Sequence, residues 1–165
     1  MAITITVGTN SYVSADDADT YMTNRGSPAA WTAASNDAKA AALIKATQYL
    51  DAVYSWRGCI LSTAQALGWP RSNVWDDEGR NVTGIPQRVK DATCELALEA
   101  LSSDLLASKD RGGAVRRQKV GTLEVEYEPG APSGKSFPIV AGILRGLTAQ
   151  GTGSGGGLSV KTLRS

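Results

Sequence analysis

The sequence predicts a mainly α protein: a small helical bundle with short β-strands and an extended C-terminal arm. Three observations predict it. Apolar residues recur at three-and-four spacing in four separate segments, short runs near the N-terminus and around residue 125 alternate at period two, and a Gly-rich stretch at 151–157 precedes a last alternating run. The domain organisation that follows is one helical domain with short strands over 1–150, then a Gly-rich tether and docking arm over 151–165.

Taken in order, Ile3-Thr-Ile-Thr-Val7 alternates apolar with hydroxyl residues, the pattern of a half-buried strand. Gly8-Thr-Asn10 turns the chain, and residues 11–13 are expected to pair back as a short second strand. Ser14, with Asp17 three residues on, resembles a capping box, and Asp16 also suits a first helical turn. A helix is therefore expected over 15–25, burying Ala18, Tyr21 and Met22 and ending at Gly26. Ser35 or Asn36 caps the next helix, which runs to about Trp56 with Ala40, Leu43, Thr47, Leu50 and Tyr54 facing inward, and Gly58 is its expected stop. Residues 59–84 hold Gly68, Pro70, Gly79 and Gly84 and read as a loop, with helical character only over 61–66.

Pro86 suits the start of another helix, where its missing N–H would be unpaired in any case. That helix carries Val89, Ala92, Leu96, Ala100 and Leu105 on one face. Residues 109–119 read as a mobile polar connection. Residues 121–127 alternate strictly, with Leu123, Val125 and Tyr127 opposite Glu124 and Glu126, and are expected to form a small sheet with residues 3–7. Pro138 opens a last short helix with Val140, Ile143, Leu144 and Leu147 as its apolar stripe.

Composition narrows the chemistry. The chain has 165 residues, net charge +1 and pI about 7.7, so no global field draws it to nucleic acid or an anionic membrane. Histidine is absent, which removes the usual general base, the usual zinc ligand and every Ser-His or Cys-His pair. Cys59 and Cys94 form no metal-ligand pattern, and Cys94 is expected to be a small buried apolar residue. Asp76, Asp77 and Glu78 lack the spacing of a calcium loop, and the Gly-rich stretches lack the Lys-Ser/Thr of a phosphate loop. The expectation is a protein that is not an enzyme, without metal or cofactor. Lacking a signal core or a membrane-length run, it is expected to be soluble, cytoplasmic when made, with no membrane contact.

The most specific stretch is Ala66-Leu-Gly-Trp-Pro-Arg71 with Asp76-Asp-Glu-Gly-Arg-Asn-Val-Thr-Gly-Ile-Pro-Gln-Arg-Val-Lys-Asp-Ala92, preceded by Ala40-Ala-Ala-Leu-Ile-Lys-Ala-Thr-Gln-Tyr-Leu-Asp-Ala-Val-Tyr-Ser-Trp-Arg-Gly58. Together they resemble a family of small tailed-phage head–tail adaptor (connector) proteins, over about residues 11–147. Members often carry the label DnaT-like single-stranded DNA-binding protein. The adaptor resemblance implies a structural virion protein in the phage neck, forming a homo-oligomeric ring, typically a 12-mer. Such a ring sits beneath the portal protein, bridges it to a stopper or tail-completion protein, and leaves a channel for DNA. The label implies a replication-associated single-strand binder instead.

Three groups of residues carry these readings. Trp69, Pro70 and Arg71 form a structural loop that either locks on itself, with Arg71 on a carboxylate or on loop carbonyls, or projects rigidly toward a neighbouring subunit. Tyr54, Trp56, Trp69 and Trp75, interleaved with Arg57 and Arg71, are the aromatics that base stacking would need, although Asp76-Asp-Glu78 beside Trp75 repels phosphate. Lys109, Arg111, Arg116, Arg117 and Lys119 are the local basic excess, either a solvated loop or a channel lining in non-specific contact with genomic DNA. Leu158, Val160 and Leu163 on the arm are the candidates for docking on a partner's sheet edge.

Overall fold

The computed structural model describes residues 2–105, 115–119, 124–127 and 137–149. The element order is α1 (Ala15–Asn24), α2 (Ala29–Thr32), α3 (Asn36–Val53), β1 (Cys59–Ile60), β2 (Arg71–Ser72), α4 (Gln87–Ser102), β3 (Val115–Lys119), β4 (Glu124–Tyr127) and α5 (Pro138–Ile143). The fold is a small helical bundle with short strands, as its periodicity predicts.

α3 and α4 form the centre. Ser35 caps α3 by accepting the Ala38 N–H at 3.2 Å, and 18 residues without Gly or Pro follow. Its buried face is Ala40, Ala42, Leu43, Ala46, Thr47, Tyr49 and Leu50, and that of α4 is Val89, Ala92, Thr93, Cys94, Leu96 and Ala97. The many alanines let the two backbones approach closely, and α3 and α4 share the most extensive contact among the helices. Two hydroxyls buried in this interface are satisfied within their own helices: Thr47 donates to the Leu43 carbonyl at 3.0 Å and Thr93 to the Val89 carbonyl at 2.8 Å. α1, capped by Ser14 accepting from the Asp17 N–H, packs across both helices, with Ala18 and Met22 buried and Tyr21 half-buried. α5 lies on α4 and buries Val140, followed by Leu144 and Leu147.

Several expectations are corrected. Residues 3–7 form no strand: the Asn10 side chain takes the backbone groups of Thr4 and Thr6, and only a single bridge joins Val7 to Ser11. Residues 11–13 pair back no further than that bridge at Ser11, because Tyr12 and Val13 enter the core and the Tyr12 N–H goes to Thr47 at 3.3 Å. The chain leaves α3 at Tyr54, before Gly58. Gly58 instead sits at φ +72°, where a Cβ would lie 2.3 Å from the Ser72 carbonyl oxygen. That close approach permits the unforeseen β1–β2 pairing, Cys59 with Ser72 and Ile60 with Arg71, and residues 61–66 are not helical. α2 was also unforeseen, and it exists to bury Trp31. α4 ends at Ser102, so Leu105 is buried from beyond the helix.

The expected sheet between residues 3–7 and 121–127 is replaced by an antiparallel β3–β4 ribbon. Half of the expected connection over 109–119 is therefore strand, its backbone paired with residues 124–127. Residues 151–165, the expected tether and arm, lie outside the described residues, as does the loop 129–136.

Candidate functional site

The loop carrying Trp69-Pro70-Arg71 is organised by one carboxylate. Asp51, in the last turn of α3, accepts from the Tyr12 hydroxyl and from the Trp56 indole N–H at 2.9 Å through one oxygen, and from the Gly68 N–H at 3.0 Å through the other. The Trp69 N–H closes the ring of contacts by donating to the Tyr12 hydroxyl oxygen at 3.3 Å. Burial pushes the Tyr12 phenol far above its ordinary range, and the Asp51 carboxylate beside it acts in the same direction. No side chain fits at Gly68, where a Cβ would stand 2.6 Å from Asp51 Oδ1 and 2.7 Å from the Trp56 ring.

Trp69 is fully buried and meets Trp56 edge to face at 5.8 Å between ring centroids, while its Nε1 has no partner. The Trp69–Pro70 peptide bond is cis. Arg71 donates to three carbonyls: Arg57 at 2.7 Å, Gly58 at 2.7 Å and Gly68 at 3.1 Å. The loop therefore locks on itself, and backbone carbonyls rather than a carboxylate hold Arg71.

Of the aromatics that a stacking surface would use, Trp69 is enclosed, Tyr54 and Trp56 are half-buried, and Trp75 is 57% exposed. Trp31, buried in α2, spends its indole N–H on Asp19 at 2.6 Å. The acidic run after Trp75 is partly structural. Asp76 accepts from the backbone of Glu78 and Arg80 and from the Arg80 guanidinium, and these donors, the Arg80 backbone foremost, hold its carboxyl below the usual range. Asp77 lies 3.8 Å from Arg57 and 3.9 Å from Arg145, so it links the loop to the segment after α5. Arg57 strengthens that link by donating to the Gly146 carbonyl at 3.0 Å.

Beside this link an open cleft of about 590 Å³ is lined by Asp77, Glu78, Arg88, Asp91, Gly142, Ile143 and Arg145. Its charges are mixed, so it offers neither a phosphate track nor a metal cage. Among the described residues, no group of three or more cysteines or carboxylates could hold a metal ion, and no helix is long and apolar enough to cross a membrane.

Of the basic candidates, Arg116, Arg117 and Lys119 lie on β3, and Lys109 and Arg111 fall outside the described residues. The register sets Arg117 opposite Glu126 and Lys119 opposite Glu124, so these four positions share one ribbon face. Val115, Gln118, Val125 and Tyr127 share the other. Sequence reading missed this pairing by treating the two runs as separate elements. Leu158, Val160 and Leu163 lie outside the described residues. The Asp51 hub was also missed, because an aspartate in an apolar helical stretch reads as solvent-facing until the returning loop is placed over it.

The helical body carries a pH dependence at Asp19 on α1. Burial opposes ionisation of Asp19, but the Lys39 ammonium at 2.8 Å and the Trp31 indole outweigh it and hold its carboxyl below 3.8. A carboxyl depressed in the fold stabilises above its unfolded value and loses that contribution as pH falls through the folded one. Denaturation midpoints should therefore fall as the pH drops through and below the ordinary aspartate range, and Asp19→Asn should flatten that dependence.

No curated protein and no solved structure matches the chain. One family model does, described as "Putative DnaT-like ssDNA binding protein". Its match runs over residues 2–165, and the chain belongs to that family.

Proposed function

We propose that the chain is a non-enzymatic head–tail adaptor of a tailed phage. In this reading it forms a ring, about twelve-fold by the resemblance, beneath the portal protein and bridges it to a stopper or tail-completion protein. It resides in the virion neck and is made in the host cytoplasm. Genomic DNA passes through the ring with non-specific contact to basic residues such as Arg116, Arg117 and Lys119. Support for the adaptor comes from the resemblance over about residues 11–147, which is to the same family whose members carry the DnaT-like label.

The observation that carries it against the alternative is the use of the indoles. Trp31 and Trp69 are core residues, Trp56 is tied to Asp51, and the one well-exposed indole, Trp75, adjoins three acidic residues. A single-strand binder needs successive exposed aromatic faces along a basic groove.

The family description directly supports a second reading, single-stranded DNA binding, and gives no support to a ring or a portal. Trp75 is where that reading would act. It expects oligonucleotide binding that weakens about tenfold in Trp75→Ala, since stacking contributes roughly 1–3 kcal/mol per base.

Quantitative mass spectrometry of purified particles, with the portal as internal standard, separates the two. The adaptor reading expects a one-to-one ratio with the portal. Absence from particles, with Trp75-dependent oligonucleotide binding, would sink the adaptor and leave the single-strand binder.

A further inference from the structure

Residues 3–7 carry a strand sequence without forming a strand. The Asn10 amide donates to the Thr4 carbonyl at 2.9 Å and accepts from the Thr6 N–H at 2.7 Å. One residue of a neighbouring parallel strand would do the same, so this edge of the segment is closed. On the other edge Asp37 accepts the Ile3 N–H at 3.0 Å. The N–H and C=O groups of Ile5 and Val7 have no partner among the described residues. Ile3 and Val7 are 42% and 45% exposed. The groove alongside, of about 450 Å³, is lined by Asp16, Asp37 and the Lys39-paired Asp19, and by no cationic side chain.

We propose that this open edge receives residues 158–163 of a second copy of the chain. In that segment, Leu158-Ser-Val-Lys-Thr-Leu163, Leu158 and Val160 share one face of a period-two pattern with Leu163 nearby; it includes Lys161, is followed by Arg164, and has no acidic residue. Main-chain hydrogen bonds to Ile5 and Val7 supply affinity, alternate side chains set register, and the acidic groove matches the basic segment.

Chain length favours a second copy over the same one. Ala149 is pinned beside Ser55, whose carbonyl accepts its N–H at 2.8 Å, just past the C-terminal end of α3. The receiving edge begins at Ile3, fixed to Asp37 at the opposite end of that 18-residue helix, roughly 27 Å away, and runs to Val7, which bridges to Ser11 beside the Tyr12–Thr47 contact. Eight residues, and so nine peptide steps, separate Ala149 from Leu158. A Gly-rich tether of that length relaxes to roughly 17 Å, so laying the segment along its own edge as far as Ile3 requires it nearly taut. A neighbour's edge carries no such constraint, and an arm passed head to tail propagates from copy to copy until rotation closes a ring. The inference holds whatever the assembly joins.

Amide hydrogen exchange on the full chain tests it, comparing the unchanged sequence with a Val160→Asp/Leu163→Asp variant at low and high protein concentration. The expected result is exchange of the Ile5 and Val7 amides about tenfold slower in the unchanged chain, with protection growing with concentration. The Leu50 and Val89 amides should match in both, showing an intact body. Equal exchange at Ile5 and Val7 in both chains at both concentrations overturns the proposal. Protection that the variant loses, but that ignores concentration, places the segment on its own chain and overturns the assignment to a second copy.

Discussion

Trp69→Ala is expected to lower stability by about 4 kcal/mol, in the range for removing a fully buried large aromatic. The indole has no exposed surface, packs edge to face on Trp56, and lies on a loop whose backbone is fixed by Asp51, Tyr12 and Arg71. Chemical denaturation should show the loss in the midpoint with little change in slope. Trp69→Phe is the informative companion. Its Nε1 has no partner, so deleting that N–H breaks no hydrogen bond, and the cost should be only about 1–2 kcal/mol, from the smaller ring. If Trp69 stacked on a nucleic-acid base, Trp69→Ala would reduce binding while leaving the denaturation midpoint in place. A midpoint within about 1 kcal/mol of the unchanged chain would contradict the enclosed packing.

Asp51→Ala should be nearly as severe, about 3 kcal/mol, for a different reason. The carboxylate accepts from three groups on three separate segments: the Tyr12 hydroxyl before α1, the Trp56 indole after α3, and the Gly68 N–H in the loop. Truncation leaves all three donors in a largely enclosed site without an acceptor. Asp51→Asn should cost less, about 1–2 kcal/mol, since one oxygen survives and only the neighbour of Gly68 becomes a donor. Because Tyr12 also accepts the Trp69 N–H, Tyr12→Phe and Asp51→Ala should combine to less than their sum. Additive losses in that double-mutant cycle would mean that the contacts act separately.

The bundle was legible where one residue type decides the outcome. Ser14 and Ser35 cap helices whatever surrounds them, Pro86 marks a helix start, and the stripes of α3 and α4 follow from spacing alone. What failed depended on partners distant in sequence. Residues 3–7 have strand composition, yet a side chain seven residues after Ile3 occupies the groups a strand would need. Cys59 and Ile60 look like loop, yet Gly58 and the Arg71 clamp bring Arg71 and Ser72 alongside. The Trp69-Pro70-Arg71 lock was legible in kind, since a Pro-fixed Trp followed by Arg suggests a self-bonded loop. Its anchor, Asp51, was not, because nothing local to α3 distinguishes it from Asp37. The basic run at 109–119 was read along the chain alone, so the register that sets residues 117 and 119 opposite 126 and 124 was not legible in it.

The two cysteines have a practical consequence. Cys94 is 1% exposed, and burial pushes its thiol up to about 12, whereas Cys59 is exposed on β1 beside the Arg71 clamp. A thiol-reactive dye should therefore couple once to the native chain and twice after denaturation. The protein thus carries its own unique attachment point, requiring no engineered residue. A dye there would sit on a rigid loop, and energy transfer between labelled copies would report the spacing of neighbours in any assembly they form.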